Sequence, residues 1–178
     1  MKKIIAFTLA LCMMFCLAAC GSNTTPAPNG GEQQGGNSAP ANTEEASNFS
    51  FTYKGVQIKL SEPAAPILEK LGEPMKYTES ASCAFEGLDK SYYYGSFYLE
   101  TYPQGEEDFV LGWWFADDTV TTPEGIYIGS SKAEVEKAYG AENFNGTNAY
   151  DIKDGSGKLT IIMDNDVVSS IQYNLIVE

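Results

Sequence analysis

The chain has 178 residues, with 11 lysines, 24 acidic residues and neither arginine nor histidine, for a formal net charge of -13. The absence of histidine excludes a Ser-His-Asp triad, a Cys-His dyad, a His-ligated zinc and a His general base. The absence of arginine removes the bidentate clamp for phosphate, and so acidic a surface repels nucleic acid, so the composition favours a binding protein over an enzyme, with no metal or cofactor and no nucleic-acid partner expected.

Lys2 and Lys3 precede an apolar run from Ile4 to Leu17. That run is shorter than the roughly 20 residues of a membrane span but suits the h-region of a signal peptide. Small residues Ala18 and Ala19 follow, then Cys20. The string Leu17-Ala18-Ala19-Cys20-Gly21 resembles the bacterial lipobox. The resemblance implies a signal peptide over residues 1–19, cleavage before Cys20, and acyl chains such as palmitate on the Cys20 thiol. The expected location is the extracytoplasmic face of a Gram-positive cell membrane. Cys12 and Cys16 leave with the signal peptide, so Cys83 is a lone thiol, expected as a small buried residue. The processed chain keeps nine lysines against 24 acids, giving -15. Anionic head groups repel such a surface, so attachment rests on acyl chains alone.

Residues 20–48 comprise Cys20 and then a stretch of Gly, Pro, Ser, Thr, Asn, Gln, Ala and Glu without one aromatic or large aliphatic side chain. Such a sequence cannot bury enough apolar area to offset the entropy of ordering it. It is expected as a flexible tether, with a root-mean-square reach on the order of 30 Å. Residues 49–178 hold all the remaining aromatics and make one domain's worth of chain.

Within that domain a pattern recurs. Gly55-Val56-Gln57-Ile58 and the stretch Pro63 to Gly72 compare with Gly125-Ile126-Tyr127-Ile128-Gly129 and Ser131 to Gly140. Both predict a short strand, a turn and a helix stopped by glycine. Ser131 with Glu134 fits a capping box, and Pro66 fits only the first helical turn. Further on, Asp108 to Phe115 aligns with Asp166 to Tyr173. Strands are predicted over 82–85, 92–102 and 109–116, then over 147–152, 158–163 and 167–175, with Asp154-Gly155 and Asp164-Asn165-Asp166 as hairpin turns. The fold class that follows is α+β. Two tandem repeats, about 49–124 and 125–178, each contribute a helix and a three-stranded meander to one antiparallel sheet with both helices on one face. Strand, turn, capped helix and meander, given twice, resemble β-lactamase-inhibitory-protein-like (BLIP-like) domains and the SmpA/OmlA envelope lipoproteins. The resemblance implies a protein that binds a protein partner through an aromatic sheet face, in the manner of an inhibitor; a monomer is expected.

Period-two alternation then assigns faces. Val167, Ile171 and Tyr173 are expected in the core, as are Phe109, Leu111, Trp113 and Phe115, and Leu159, Ile161 and Met163. Treating 92–102 as one strand with Gly95, Phe97 and Leu99 inward leaves Tyr92, Tyr94, Tyr98 and Tyr102 outward, joined by Trp114. Tyr and Trp bring large contact area at low entropy cost, so these five are the candidate partner-binding residues. The alternative ligand is a glycan or small molecule stacked on the same rings. The acidic runs Glu106-Glu107-Asp108, Asp117-Asp118 and Asp151 to Asp154 fall in turns or at strand ends, where carboxylates are solvated, and no catalytic residue is assigned.

Overall fold

The computed structural model describes residues 45–177. The expected signal peptide, Cys20 and most of the expected tether lie outside those residues.

Two four-residue strands, β1 (Ser50–Tyr53) and β2 (Val56–Lys59), form a hairpin of their own. Helix α1 (Ala64–Leu71) follows, then β3 (Lys76–Ala81), β4 (Leu88–Tyr93), β5 (Phe97–Gln104) and β6 (Glu107–Phe115). Helix α2 (Lys132–Tyr139) and a 3-10 turn (Ala141–Asn143) lead to β7 (Ala149–Asp154), β8 (Gly157–Asp164) and β9 (Val167–Leu175). Strands β3 to β9 make one antiparallel sheet of seven, in the order β3-β4-β5-β6-β9-β8-β7.

This corrects the expected fold class. The described chain is mostly β, not two helix-plus-three-strand repeats with a helical layer. Three physical reasons account for the difference. Lys76–Ala81 pairs with Leu88–Tyr93 as a further strand; it is exposed along its whole length and carries no apolar alternation to announce itself. The helices are eight residues each and bury little: Ala64 and Ile67 from α1, Val135 from α2. Much of the cover on the core face comes instead from the β1–β2 hairpin. Phe51 lies 5.0 Å from Phe97 and 5.1 Å from Phe115, centroid to centroid, and Ile58 is fully buried.

Local signals agree with the structure more closely. Ser131 caps α2 in a capping box with Glu134, whose carboxylate accepts from the Ser131 N–H at 2.7 Å. The Asp154–Gly157 and Asp164–Val167 turns close their hairpins, with Asn165 and Asp166 at positive φ, which short polar residues tolerate.

Two β-bulges revise the predicted core. Between β5 and β6, Glu100 opposes Gly112 and Thr101 opposes Val110, leaving Leu111 as the extra residue. Val110 is therefore fully buried, while Phe109 and Leu111, expected inside, are not. Between β8 and β9 the extra residue is Ser169, which buries Val168 and exposes Val167, again reversing the expectation. Each bulge shifts alternation by one residue, which moves side chains to the opposite face. Cys83, expected to be buried, is exposed in the β3–β4 loop.

Leu99 and Leu111 now make a matched test, one in the core and one across the bulge. Leu99→Ala should cost about 2–5 kcal/mol in urea unfolding. Leu111→Ala should cost about 1 kcal/mol or less.

Candidate functional site

The β1–β2 hairpin packs on one side of the sheet, and register decides what the other side carries. Cross-strand partners share a face. Following the pairings from Trp114 gives one row across the sheet: Lys76, Tyr93, Tyr98, Trp114, Gln172, Thr160 and Asp151. The next row runs through Thr78, Ser91, Glu100, Gly112, Asn174 and Lys158.

The centre of the first row is aromatic. Tyr93 stacks on Tyr98 at 4.4 Å and 27° between planes, and Tyr98 meets Trp114 at 4.9 Å and 59°. All three are partly exposed, and their rings form a continuous strip over β4, β5 and β6.

Of the five residues predicted for this face, Tyr98 and Trp114 are there. Tyr102 is on the same side of β5 but buried, with Phe85 of the β3–β4 loop stacked on it at 4.4 Å. Tyr92 and Tyr94 are on the core side, a correction to the expected set. Tyr92 opposes Leu99. Tyr94 is 9% exposed, stacks on Phe97 at 5.3 Å and donates its hydroxyl hydrogen to the Gly72 carbonyl at 3.3 Å. Burial pushes its pKa up to about 12.

The cause is a two-residue turn. Residues 92–102 are not one strand: the Tyr94 N–H bonds the Phe97 carbonyl across Gly95-Ser96, with Gly95 at φ 91°. Through that hairpin, even-numbered residues of β5 face the same way as odd-numbered residues of β4. Tyr93 therefore replaces its two neighbours. A Gly-Ser pair between apolar and aromatic runs is a two-residue hairpin signal and could have revealed it.

Beside the strip, β3, β4, β5 and the bulge enclose a cavity of about 310 Å³, lined by Thr78, Ser80, Asp89, Ser91, Glu100 and Leu111. Lys90 borders it as well, but its ammonium is held by Asp108 at 2.6 Å. No ion pair among the described residues involves Asp89 or Glu100. The Asp89 Oδ1 atom is buried without a hydrogen-bond partner. Loss of water around Glu100, and then the charge of Asp89, push the Glu100 carboxyl above its ordinary value. The far end of the face behaves differently. Asp151 is partly desolvated, yet the Thr160 hydroxyl at 2.9 Å and the Lys158 ammonium at 3.2 Å hold its carboxyl below the ordinary range.

No protein-family model matches the chain, and no curated protein matches it. Among solved structures it is similar to a cysteine-rich secretory protein (SAV1118) from Staphylococcus aureus subsp. aureus Mu50, at 13% identity and a TM-score of 0.45, over 65% of this chain and 43% of that one. The chain thus spans less than half of that protein's length.

The raised Glu100 carboxyl makes a pH prediction. A carboxyl whose folded pKa lies above its unfolded value binds protons more tightly in the folded state, so its contribution to stability is full at low pH and is lost as pH rises through the folded value. Glu100→Gln should raise the melting temperature at pH 7, and the gain should vanish below the ordinary glutamate value of 4.5. A gain that is the same at both pH values would mean that the charge is not its source.

Proposed function

We propose that this chain is a lipid-anchored binding protein of the cell envelope, not an enzyme, and that it docks a protein partner on the open face of its sheet. The carrying observation is the Tyr93–Tyr98–Trp114 strip, a row of half-buried aromatic rings on the sheet face opposite the β1–β2 hairpin. Contiguous aromatic patches that reach solvent mark interaction sites. Their partly buried rings bring contact area with few rotors to freeze.

Ring geometry favours a protein over a glycan. A sugar stacks best on a free flat ring, but Tyr98 has Tyr93 against one side and Trp114 tilted at 59°. The resulting surface is ridged and suits side chains more than pyranose faces. The lipid anchor rests on the Leu17–Gly21 sequence. The domain end of the tether is fastened: the Glu45 carbonyl accepts from the Ser156 N–H at 2.8 Å, and the Asn48 N–H bonds Asp154 at 2.5 Å.

Two experiments test this reading. Cys20→Ser should abolish incorporation of labelled palmitate and move the protein from the membrane fraction to the medium; retention in the membrane would end the anchor assignment. A photo-crosslinking phenylalanine analogue at Tyr98, used in intact cells, should give a protease-sensitive adduct. The same analogue at Tyr127, exposed in the loop before α2, should give none. An adduct sensitive only to glycosidases would favour the glycan reading, and no adduct from Tyr98 would remove the docking face.

A further inference from the structure

We infer that β3 pairs with β3 of a second copy of this chain, joining two sheets edge to edge about a two-fold axis at Thr78. The inference is independent of the docking reading and replaces the expected monomer.

The sheet ends in β3 on one side and β7 on the other. The start of β7 is covered. Phe144 bridges Tyr150, the Asn145 N–H bonds the Ala149 carbonyl at 2.8 Å, and the Asn145 side-chain carbonyl accepts from the Ala149 N–H at 3.2 Å. Among the described residues no strand pairs with the outer side of β3. All six of its residues are exposed, none is proline, and its register with β4 runs from Lys76 opposite Tyr93 to Ala81 opposite Leu88 without a bulge. Bulges, prolines and lysines are the usual guards of a free edge, and here one lysine stands at the first position only.

Backbone alternation then selects the register. The Ser82 N–H bonds the Gly87 carbonyl at 3.0 Å. In an antiparallel pair this turns the N–H and carbonyl groups of Ser80, Thr78 and Lys76 toward β4, and those of Ala81, Glu79 and Tyr77 outward. Two copies related by a dyad must match outward residue to outward residue, so an axis near the strand centre passes through Tyr77, Thr78 or Glu79. An axis at Glu79 sets that carboxylate against its own copy, and like charges directly opposite oppose pairing. An axis at Tyr77 sets Ser80 against Pro74, outside the strand. An axis at Thr78 sets Thr78 against itself, Lys76 against Ser80 and Tyr77 against Glu79. The last match joins a phenol to a carboxylate, a bond these two residues already make within one chain at 2.6 Å.

The same register accounts for the apolar surface. Met75, just before β3, is 76% exposed, and Tyr77 and Leu88 are exposed beside it on β3 and β4. The other large exposed apolar residues, Tyr127, Val167 and Val177, lie outside these two strands. With the axis at Thr78, Met75 of one copy comes opposite Ala81 of the other, whose neighbour across β4 is Leu88. Each end of the joined edge thus covers apolar side chains that a single copy leaves in water. Charge does not forbid the approach. The chain is acidic overall, but Lys76 and Glu79 balance within β3, and beyond about 8 Å physiological salt screens the rest. A dyad between antiparallel strands runs perpendicular to the sheet, so both aromatic strips face the same way and present two docking surfaces side by side.

Cysteine pairing in intact cells tests the register, using the full chain with Cys83→Ser as background so that the exposed thiol is gone. Thr78→Cys, Lys76→Cys and Ser80→Cys are each added singly, and reducible dimer is measured after mild oxidation. Residue 78 opposes its own copy in a pair whose Cβ atoms approach to about 4.5 Å, within reach of a disulfide. Residues 76 and 80 are displaced from their own copies by roughly 13 Å along the strand. Thr78→Cys should therefore give about tenfold or more dimer over background than either neighbour. Glu79→Pro removes an N–H that points away from β4, which an edge strand tolerates, and should abolish the Thr78→Cys dimer. If the proline variant does not fold, the dependence on position decides alone. Equal yields at all three positions, no dimer from Thr78→Cys, an adduct to another protein in its place, or a dimer that survives in folded Glu79→Pro overturns the inference.

Discussion

The seven-stranded sheet depends on one short seam. Strands β6 and β9 pair through only three residue couples, Gly112 with Asn174, Trp113 with Tyr173 and Trp114 with Gln172. On the core side, Trp113 stacks on Tyr173 at 4.8 Å and 22°. The close approach requires glycine at 112, because a Cβ there would collide with the Tyr173 carbonyl. The Trp113 indole N–H and the Tyr173 hydroxyl are buried without partners. Each omission costs about 1–3 kcal/mol. Burying an aromatic side chain of 150–250 Å² returns roughly 4–6 kcal/mol. Packing therefore wins at the seam, and β3–β6 and β7–β9 become one surface.

Two adjacent tryptophans divide the work. Trp113 closes the seam from beneath, and Trp114, one residue on, points to the open face and carries the aromatic strip. The bulge at Leu111 lets β6 serve both needs. Above it, β6 pairs with β9. Below it, the Val110 N–H and carbonyl bond Glu62 and Ser61, so the edge of β6 is satisfied by the segment leading into α1. That exchange of partners buries Val110 and turns Leu111 outward into the cavity beside Glu100. The same irregularity thus ends one pairing and shapes the cavity.

How much of this was legible in the sequence follows from which signals are local. The capping box at Ser131, the glycine stop at Gly140 and the hairpin turns at 154–157 and 164–167 depend on neighbours a few residues apart, and they were readable. Face assignments depend on counting by twos without interruption. That count held through Leu159, Ile161 and Met163 and failed wherever a bulge or a two-residue turn intervened, at Leu111, Ser169 and Gly95-Ser96. Strand β3 was invisible because an exposed edge strand needs no apolar residues. The helical layer was over-read because a glycine-terminated helix pattern says nothing of how much the helix buries. Tyr98 and Trp114 were found by alternation, and Tyr93 was missed by a single turn.

Asp151, Glu100 and Asp89 on the open face show how the sequence apportions cost. Asp151 is neutralised from within by Lys158 and by the hydroxyl of Thr160, and its carboxyl is held below the ordinary range. Glu100 joins no ion pair among the described residues, and loss of water around it, then the charge of Asp89, push its carboxyl above its ordinary value, so its ionisation opposes folding at neutral pH. A chain selected for stability alone would place a lysine across from Glu100 on β4; it has Ser91. The unfavourable pair lies beside the Tyr93–Tyr98–Trp114 strip. The same strand register that assembles the aromatic strip thus also sets two carboxylates near each other, and the packing of the sheet carries that cost.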